Sequence, residues 1–343
     1  MPDRRADQAT PEASVVTWRE WAARAILLAV GAVVMYGLLP RFIDLWSAVP
    51  ELRSIGWVAL GSMAILQFAS WWCAAELDRV ALPRLSRFTA TTTSLTANAV
   101  SRVVPAAGGA LGVRTRYHMW AASGAGTGAA ASAVAATTVI SLATLFLLPV
   151  LTLGLAVVGA PTPRSLGWVA VGGGLLFVVL FGLGVVLLLT DPLLRKGARL
   201  IEVAARRFDR DITASSIEHE RDRLREALGA RWPRALAFSV GIWAFDYLSL
   251  VAVLVALDTL PEPGVVLLSF TAAKILGMIP LTPGGLGIVE AGLTGMLTLA
   301  GIAATEALLA TLAYRIVSYW LALPAGLGAW LLFRRRYPGV PAP

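Results

Sequence analysis

Five charged side chains lie within apolar stretches of this 343-residue chain: Arg102, Lys274, Arg315, Asp246 and Glu290. Each costs about 2.5–3.5 kcal/mol at the centre of a bilayer, so such groups must pair with one another or line a wet cavity. One interpretation pairs Arg315 with Glu290 as a structural contact, and Lys274 pairs with Asp246 in the same way. The other makes the three cations contacts for an anionic ligand such as a phosphate. Three cations against two anions leave one positive charge unmatched, which favours the ligand.

Proline and glycine break two apolar stretches at their centres, residues 88–120 at Pro105 and residues 264–300 at Pro280. Each arm has about 15–17 residues, near the lower limit for crossing a bilayer, so a hairpin that enters and leaves on one side fits better than two spans. Inside a membrane, the backbone groups freed by a break need partners from protein or from water in a cavity. Each break therefore predicts a cavity, where the N–H groups that begin a half-helix favour an anion.

The two broken stretches also match each other. When one is laid over the other, Pro105 aligns with Pro280, and after one inserted residue Gly108 aligns with Gly284. The first copy starts from the cytoplasmic side and the second from the outside, so the sequence predicts an inverted repeat, a recurring plan of transporters. Coincidence between two stretches rich in glycine and proline is the alternative.

Six further segments are long and apolar enough to span a membrane, or nearly so. They are residues 22–39, 55–75, 124–148, 166–189, 235–257 and 305–333. If the N-terminus is cytoplasmic and both broken stretches are re-entrant, only Arg41, Arg53 and Arg164 remain in outer loops, as the positive-inside rule requires. The predicted fold is an all-α, polytopic integral membrane protein with about six transmembrane helices and two inverted re-entrant helical hairpins.

The same reasoning divides the chain into five parts. They are a cytoplasmic tail at 1–21, a first membrane repeat at 22–190, a basic cytoplasmic linker helix at 191–234, a second membrane repeat at 235–333 and a cytoplasmic tail at 334–343. The arginines of the linker face either solvent or anionic headgroups at the cytoplasmic surface.

Composition excludes several classes of function. The chain is 57% hydrophobic and 15% charged, whereas soluble domains carry about 25% charged residues. The net charge of +8 is therefore interpreted as loop charge of a membrane protein, and no nucleic-acid partner is expected. Cys73, His118 and His219 are the complete set of Cys and His. They cannot form the usual zinc sites, so we expect no metal and no cofactor.

A glycine-rich motif carries a family resemblance. The run Pro283-Gly284-Gly285-Leu286-Gly287-Ile288-Val289-Glu290, followed by Arg315, resembles the transmembrane region of lysylphosphatidylglycerol synthases and the flippase-like proteins related to it. The resemblance extends over residues 22–333 and implies an inner-membrane protein that moves a lipid with a charged headgroup between leaflets. It implies importance for Pro283, Gly284, Gly285, Gly287, Glu290 and Arg315. In the first half of the chain, the residues that match the family pattern are Asn98, Pro105, Gly108 and Arg114.

The synthases of this family carry a soluble aminoacyl-transferase domain after the membrane region. Here ten residues follow Phe333, so we expect translocation without synthase activity. The predicted function is a lipid flippase or transporter for an anionic or zwitterionic phospholipid or a polyprenyl-phosphate-type lipid, and not an enzyme. The alternatives are a membrane enzyme acting on lipid phosphates and an accessory scaffold subunit of a lipid or cell-envelope synthesis complex.

The predicted site combines the charged residues with the two breaks. The expected substrate contacts are Asn98, Arg102, Arg114, Lys274, Pro283, Gly284, Gly285, Gly287, Glu290 and Arg315. Asp246 and Glu290 are the candidates for proton coupling. The expected location is the cell membrane, as a multi-pass protein with both termini cytoplasmic, and a homo-oligomer is an open alternative.

Overall fold

The computed structural model describes residues 55–104, 108–157, 229–278 and 282–338, and all secondary structure within these ranges is helical. The helices are α1 (Trp57–Ala81), α2 (Arg87–Val103), α3 (Gly108–Ala122), α4 (Thr127–Val157), α5 (Trp232–Ala256), α6 (Pro263–Gly277), α7 (Ile288–Leu299), α8 (Ala304–Arg315) and α9 (Ala322–Arg336). Short 3-10 turns lie at Gly229–Arg231 and Pro283–Gly285, and a π turn at Ile316–Trp320 joins α8 to α9.

Within the described ranges, four helices are long and apolar enough to cross a membrane. They are α1, the part of α4 from Thr127 to Leu148, α5, and the continuous run Ala304–Arg336 formed by α8, the π turn and α9. These match four of the six predicted spans, so the described residues have the helices of a multi-pass membrane protein. The predicted spans 22–39 and 166–189, the tail 1–21 and the linker up to residue 228 lie outside the described residues.

The core forms around α1 and α5, which pack along each other. Both helices are apolar on most sides, as expected for helices surrounded by protein and lipid. A polar group of α1 finds its partner on α5: the Ser70 hydroxyl donates to the Ile242 carbonyl at 2.8 Å. Gly241 allows the close approach, because a Cβ there would lie 2.7 Å from the Cys73 sulfur. Small residues serve this purpose in membrane helices.

The two broken stretches are antiparallel helix pairs, α2 with α3 and α6 with α7. In the first pair Gly108 packs against the Ser101 carbonyl, and Gly112, one helical turn further from the break, packs against the Ala97 carbonyl. The two helices therefore run in opposite directions and contact each other along their length. In the second pair Gly285 packs against Gly277. The helical arms were predicted, whereas their insertion from a single membrane face stays a prediction. The prolines Pro105 and Pro280 lie outside the described residues.

A second charged cluster ties α1, α3 and α4 together away from the broken tips. Asp78 is fully buried near the end of α1, and the Arg116 guanidinium of α3 lies 3.3 Å from its Oδ1. Arg116 also donates to the Thr137 hydroxyl of α4 at 3.2 Å. The sequence pattern ends the predicted span 55–75 at residue 75, whereas α1 continues to Ala81 and includes the buried Asp78, which the Arg116 ion pair stabilises.

We predict that Gly326→Ala destabilises the contact between α9 and α2. A Cβ at residue 326 would collide with the Ala99 Cβ and would lie 2.8 Å from the Leu95 carbonyl oxygen. Overpacking of this kind costs about 1–3 kcal/mol. Thermal unfolding of the purified protein in detergent measures the loss, and Gly328→Ala is the matched control, since nothing lies within 4 Å of a Cβ there. Equal stability of the two variants would contradict the packing described.

Candidate functional site

A cavity of about 430 Å³ lies where the tips of the two helix pairs meet α1, α5, α8 and the π turn. It is lined by all three of the cations that the sequence places in apolar stretches, together with one of the two anions. The charged and amide side chains on its wall are Gln67, Asn98, Arg102, Asp246, Lys274 and Arg315. Residues far apart in the sequence therefore surround one polar space inside an apolar bundle.

Lys274, in the last turn of α6, forms an ion pair with Asp246 on α5. The Nζ atom lies 2.6 Å from Asp246 Oδ2, and it also lies 5.2 Å from the ring centroid of Phe270 and 5.3 Å from that of Tyr314. The hydroxyl of Tyr314 donates to the other carboxylate oxygen of Asp246 at 2.6 Å. Aromatic faces and a carboxylate thus hold the ammonium in place.

Gln67 on α1 completes the shell around Asp246. With its NH₂ group facing the carboxylate, the amide donates to Asp246 Oδ1 at 3.3 Å and accepts from the Trp71 indole at 3.1 Å. Sequence reasoning missed Gln67 and Tyr314. The one signal in the sequence was Gln67 itself, a neutral polar side chain within the apolar stretch 55–75, since buried polar groups need partners.

Arg315, at the end of α8, clamps the glycine-rich turn. Its Nε donates to Glu290 Oε1 at 2.6 Å, and its Nη2 donates to the Gly284 carbonyl at 3.1 Å. Glu290 in turn accepts from the Gly287 N–H at 2.6 Å, at the start of α7. Both ion pairs of the structural interpretation are therefore present, and the Gly287 N–H at the N-terminus of α7 is satisfied by this chain's own carboxylate.

Arg102, in the last turn of α2, has no carboxylate within ion-pair distance among the described residues. Its guanidinium donates to two carbonyls, Asn98 at 3.1 Å and Ser318 at 3.0 Å. Ser318 belongs to the π turn, where the Leu321 N–H bonds to the Ile316 carbonyl five residues back. Such turns displace carbonyls from their α-helical partners and recur at functional sites.

Tyr319 joins the tips of the two helix pairs, and sequence reasoning missed it. Its hydroxyl donates to the Arg102 carbonyl at 3.1 Å, at the open end of α2. Its ring lies 4.5 Å from the Arg315 guanidinium carbon and packs against Gly284. One side chain of the π turn therefore contacts α2, α8 and the glycine-rich turn.

The glycines of the motif contact protein atoms. Gly284 has φ +54° and packs against Tyr319, and Gly285 has φ +72° and packs against Val289 and Gly277. Gly284 lines the cavity, whereas Pro283, Gly285, Gly287 and Glu290 do not. In the structure these four residues shape the turn behind the cavity wall.

Of the described residues that line the cavity, Asn98 and Thr282 each have a buried side-chain oxygen without a hydrogen-bond partner. Arg114, by contrast, lies on an exposed face of α3, where its Nε donates to His118 at 3.3 Å. Of the predicted contacts, the structure therefore brings Asn98, Arg102, Lys274, Gly284 and Arg315 to one space and leaves Arg114 outside it.

The comparisons with known proteins agree with this architecture. Two curated proteins of Methanothermobacter thermautotrophicus, both called UPF0104 membrane protein, are similar over part of the chain. One is 30% identical over 98 residues, covering 29% of this chain and 28% of that protein. The other is 31% identical over 88 residues, covering 26% of each. The matches thus span less than a third of either relative. The family described as lysylphosphatidylglycerol synthase TM region matches residues 21–326, so the chain belongs to that family, as the glycine-rich motif predicted.

Proposed function

We propose that this protein moves a lipid with an anionic headgroup between membrane leaflets. The observation that carries the proposal is the polar cavity, in which Lys274 and Arg315 are neutralised by carboxylates while Arg102 has no carboxylate partner among the residues that the structure describes. A buried charge without a counter-charge is costly, so a ligand that supplies the opposite charge is stabilised there. Membership of the family supports a lipid as the ligand.

The cavity supports transport better than lipid-phosphate chemistry. Asp246 is the one carboxylate that the described part of the chain places on its wall, and Lys274, Tyr314 and Gln67 already occupy its oxygens. Within the described residues no group of three metal-ligating side chains occurs. A positioned general base or metal would be the mark of an enzyme, so we infer that the lipid leaves chemically unchanged.

We place the protein in the cell membrane, with both termini cytoplasmic and both helix pairs re-entrant. Opening one pair while the other closes would expose the cavity to each leaflet in turn, the usual logic of inverted repeats. Asp246 and Glu290 are the groups that would carry a proton if a gradient drives transport, because each is a carboxylate paired with a cation on a different helix.

We expect Arg102→Ala to slow lipid movement at least about tenfold, because a hydrogen-bonded charge contact of about 1.5–3 kcal/mol is lost. The measurement uses proteoliposomes with phosphatidylglycerol labelled on an acyl chain by a fluorophore, which dithionite quenches only in the outer leaflet. Arg335→Ala is the matched control, because Arg335 is exposed and remote from the cavity.

Wild-type vesicles that quench no further than protein-free vesicles would contradict the proposal and favour the accessory-scaffold alternative. Equal rates of lipid movement for wild type and Arg102→Ala would show that the lipid does not pass through the cavity. Thin-layer analysis of the same vesicles before and after the assay tests for an enzyme, since an altered lipid would contradict transport of an unchanged molecule.

A further inference from the structure

We propose that a group of exposed arginines at one end of the bundle forms a binding surface for anionic lipid headgroups, separate from the cavity. The group, called the arginine cluster below, consists of Arg84, Arg87, Arg334, Arg335 and Arg336, and none of these residues lines the cavity. Its ligand is the negative charge of the surrounding leaflet, bound where α2 meets α9. The surface goes beyond the proposed function, because it concerns lipids that stabilise the protein and not a lipid that the protein moves.

The arginine cluster lies at the level where membrane helices leave the hydrocarbon core. α9 ends at Arg336, the last residue of the span Ala304–Arg336, and α2 begins at Arg87, shortly after α1 ends at Ala81. The two helices meet at this end, since the hydroxyls of Thr89 and Tyr337 form a hydrogen bond of 3.2 Å. The ends of membrane spans lie beside the lipid headgroups, so phosphate groups are the nearest source of negative charge outside the protein.

The protein itself supplies little negative charge to the arginine cluster. Among the described residues, Glu76 is the one carboxylate within ion-pair distance of any member, with Oε1 lying 3.7 Å from Arg87 Nε. Glu76 is already bound by Arg79, whose Nη1 donates to its two oxygens at 2.8 and 2.7 Å. The other four members have no carboxylate partner in the described part of the chain. The cluster therefore keeps most of its positive charge for an external anion.

Aromatic rings hold two guanidinium groups of the cluster in place. The Arg336 guanidinium carbon of α9 lies 5.2 Å from the ring centroid of Phe88 on α2, and that of Arg334 lies 4.9 Å from the ring of Trp330. A guanidinium that stacks on a ring keeps the N–H groups at its edge available for hydrogen bonds, and these match phosphate oxygens in pairs. A headgroup thus meets ordered donors and not mobile side chains.

The contact between α2 and α9 is sensitive to the charge of the lipid for the same reason. Arg336 stacks on Phe88, the chain neighbour of Arg87, so positive charges from two helices gather at one end of their contact. Like charges repel each other, and anionic headgroups between them offset that repulsion. Since α2 carries Arg102 to the cavity and α9 follows the π turn, anionic lipid at this end also stabilises helices that form the cavity wall.

Thermal unfolding of the whole chain in lipid nanodiscs tests the surface. The probe is phosphatidylglycerol mixed with an equal part of phosphatidylcholine, and the reference is phosphatidylcholine alone. The mixture is expected to raise the Tm of the wild-type protein by at least about 3 °C, and added salt is expected to reduce the increase by screening the charges. Arg102→Gln is expected to keep the increase, which separates the arginine cluster from an anion bound in the cavity.

Two pairs of substitutions separate the cluster from ordinary surface charge. Arg334→Gln combined with Arg336→Gln is expected to lose most of the increase in Tm. Arg231→Gln combined with Arg234→Gln is the matched control and is expected to keep most of it. These two arginines are exposed at the start of α5. They lie at the same end of the bundle, because α1 and α5 run in opposite directions with Ser70 beside Ile242 and Trp72 beside Phe238.

An unchanged Tm in the mixture would overturn the proposal and would favour an acidic protein segment as the partner of the cluster. An increase that salt leaves unchanged would overturn it as well, and this measurement uses the wild-type protein alone, so it does not depend on the folding of any variant. Equal losses in the two pairs of substitutions would show that the stacked arginines have no special part. Failure of the proposed function looks different, because the increase in Tm would persist in a protein that moves no lipid.

Discussion

Asp246→Asn is expected to lower the free energy of unfolding by about 3 kcal/mol, and adding Lys274→Met is expected to restore most of that loss. Removing one partner of a buried ion pair costs about 3–5 kcal/mol because the other charge stays buried, whereas replacing both partners is often nearly neutral. The lower end applies here because the Lys274 side chain is 21% exposed, facing the cavity.

The single Lys274→Met change is expected to cost less than Asp246→Asn. Without the lysine, Asp246 keeps the Tyr314 hydroxyl at 2.6 Å and the Gln67 amide at 3.3 Å. With asparagine at residue 246, Lys274 loses its counter-charge and keeps a neutral amide oxygen and the faces of two aromatic rings. Unfolding titrations with SDS in mixed micelles measure all three variants. A double variant that loses as much as the sum of the single ones would contradict a coupled pair.

The positions of the membrane helices could be predicted from the sequence because hydropathy and helix length are local properties. Residues 55–75, 124–148, 235–257 and 305–333 all lie within, or within a few residues of, observed helices. Proline and glycine also mark both breaks, because they disrupt helices whatever surrounds them. The π turn at Ile316–Trp320 could not be predicted, since it follows from what Ser318 and Tyr319 contact across the bundle.

The candidate site was predictable to the extent that buried charge is rare. An ionisable residue in an apolar stretch must find a partner, and this rule alone identified Arg102, Lys274 and Arg315 as candidate site residues. Alignment of the two repeats was less informative. The offset that aligns Gly108 with Gly284 also aligns Arg114 with Glu290, yet Arg114 lies on the exposed face of α3 and Glu290 lies behind the cavity. The direction in which a helix presents a side chain depends on packing, which the alignment does not contain.

Gly284 and Gly285 show that the function of the glycine-rich motif also depends on packing that the sequence does not reveal. In the sequence their small size suggests room for a ligand, and in the structure that room is filled by Tyr319, Val289 and Gly277. A glycine pattern records that something approaches the backbone closely. Whether that neighbour is a ligand or a ring from another helix is decided by residues some 30 positions further along, such as Tyr319.

The second large effect is expected at Gly284, because the Tyr319 ring fills the space beside this residue. Gly284→Ala is expected to cost about 2–5 kcal/mol of folding free energy and to disrupt the cavity wall. Residue 284 has φ +54°, a left-handed conformation that costs an alanine about 1–2 kcal/mol. The added Cβ would also collide with the Tyr319 ring and lie 3.0 Å from the Arg102 carbonyl, and overpacking adds about 1–3 kcal/mol.

A double-mutant cycle with Tyr319→Ala separates these two contributions. Without the ring, Gly284→Ala is expected to retain the backbone cost and to lose most of the steric cost, whereas Tyr319→Phe keeps the ring and is expected to give no relief. Gly295→Ala in α7 is the matched control, because nothing lies within 4 Å of a Cβ there and alanine favours the helix. If Gly284→Ala costs the same with and without the ring, Tyr319 does not fill the space that this glycine leaves, and the contact between the two broken tips is not what holds the cavity wall together.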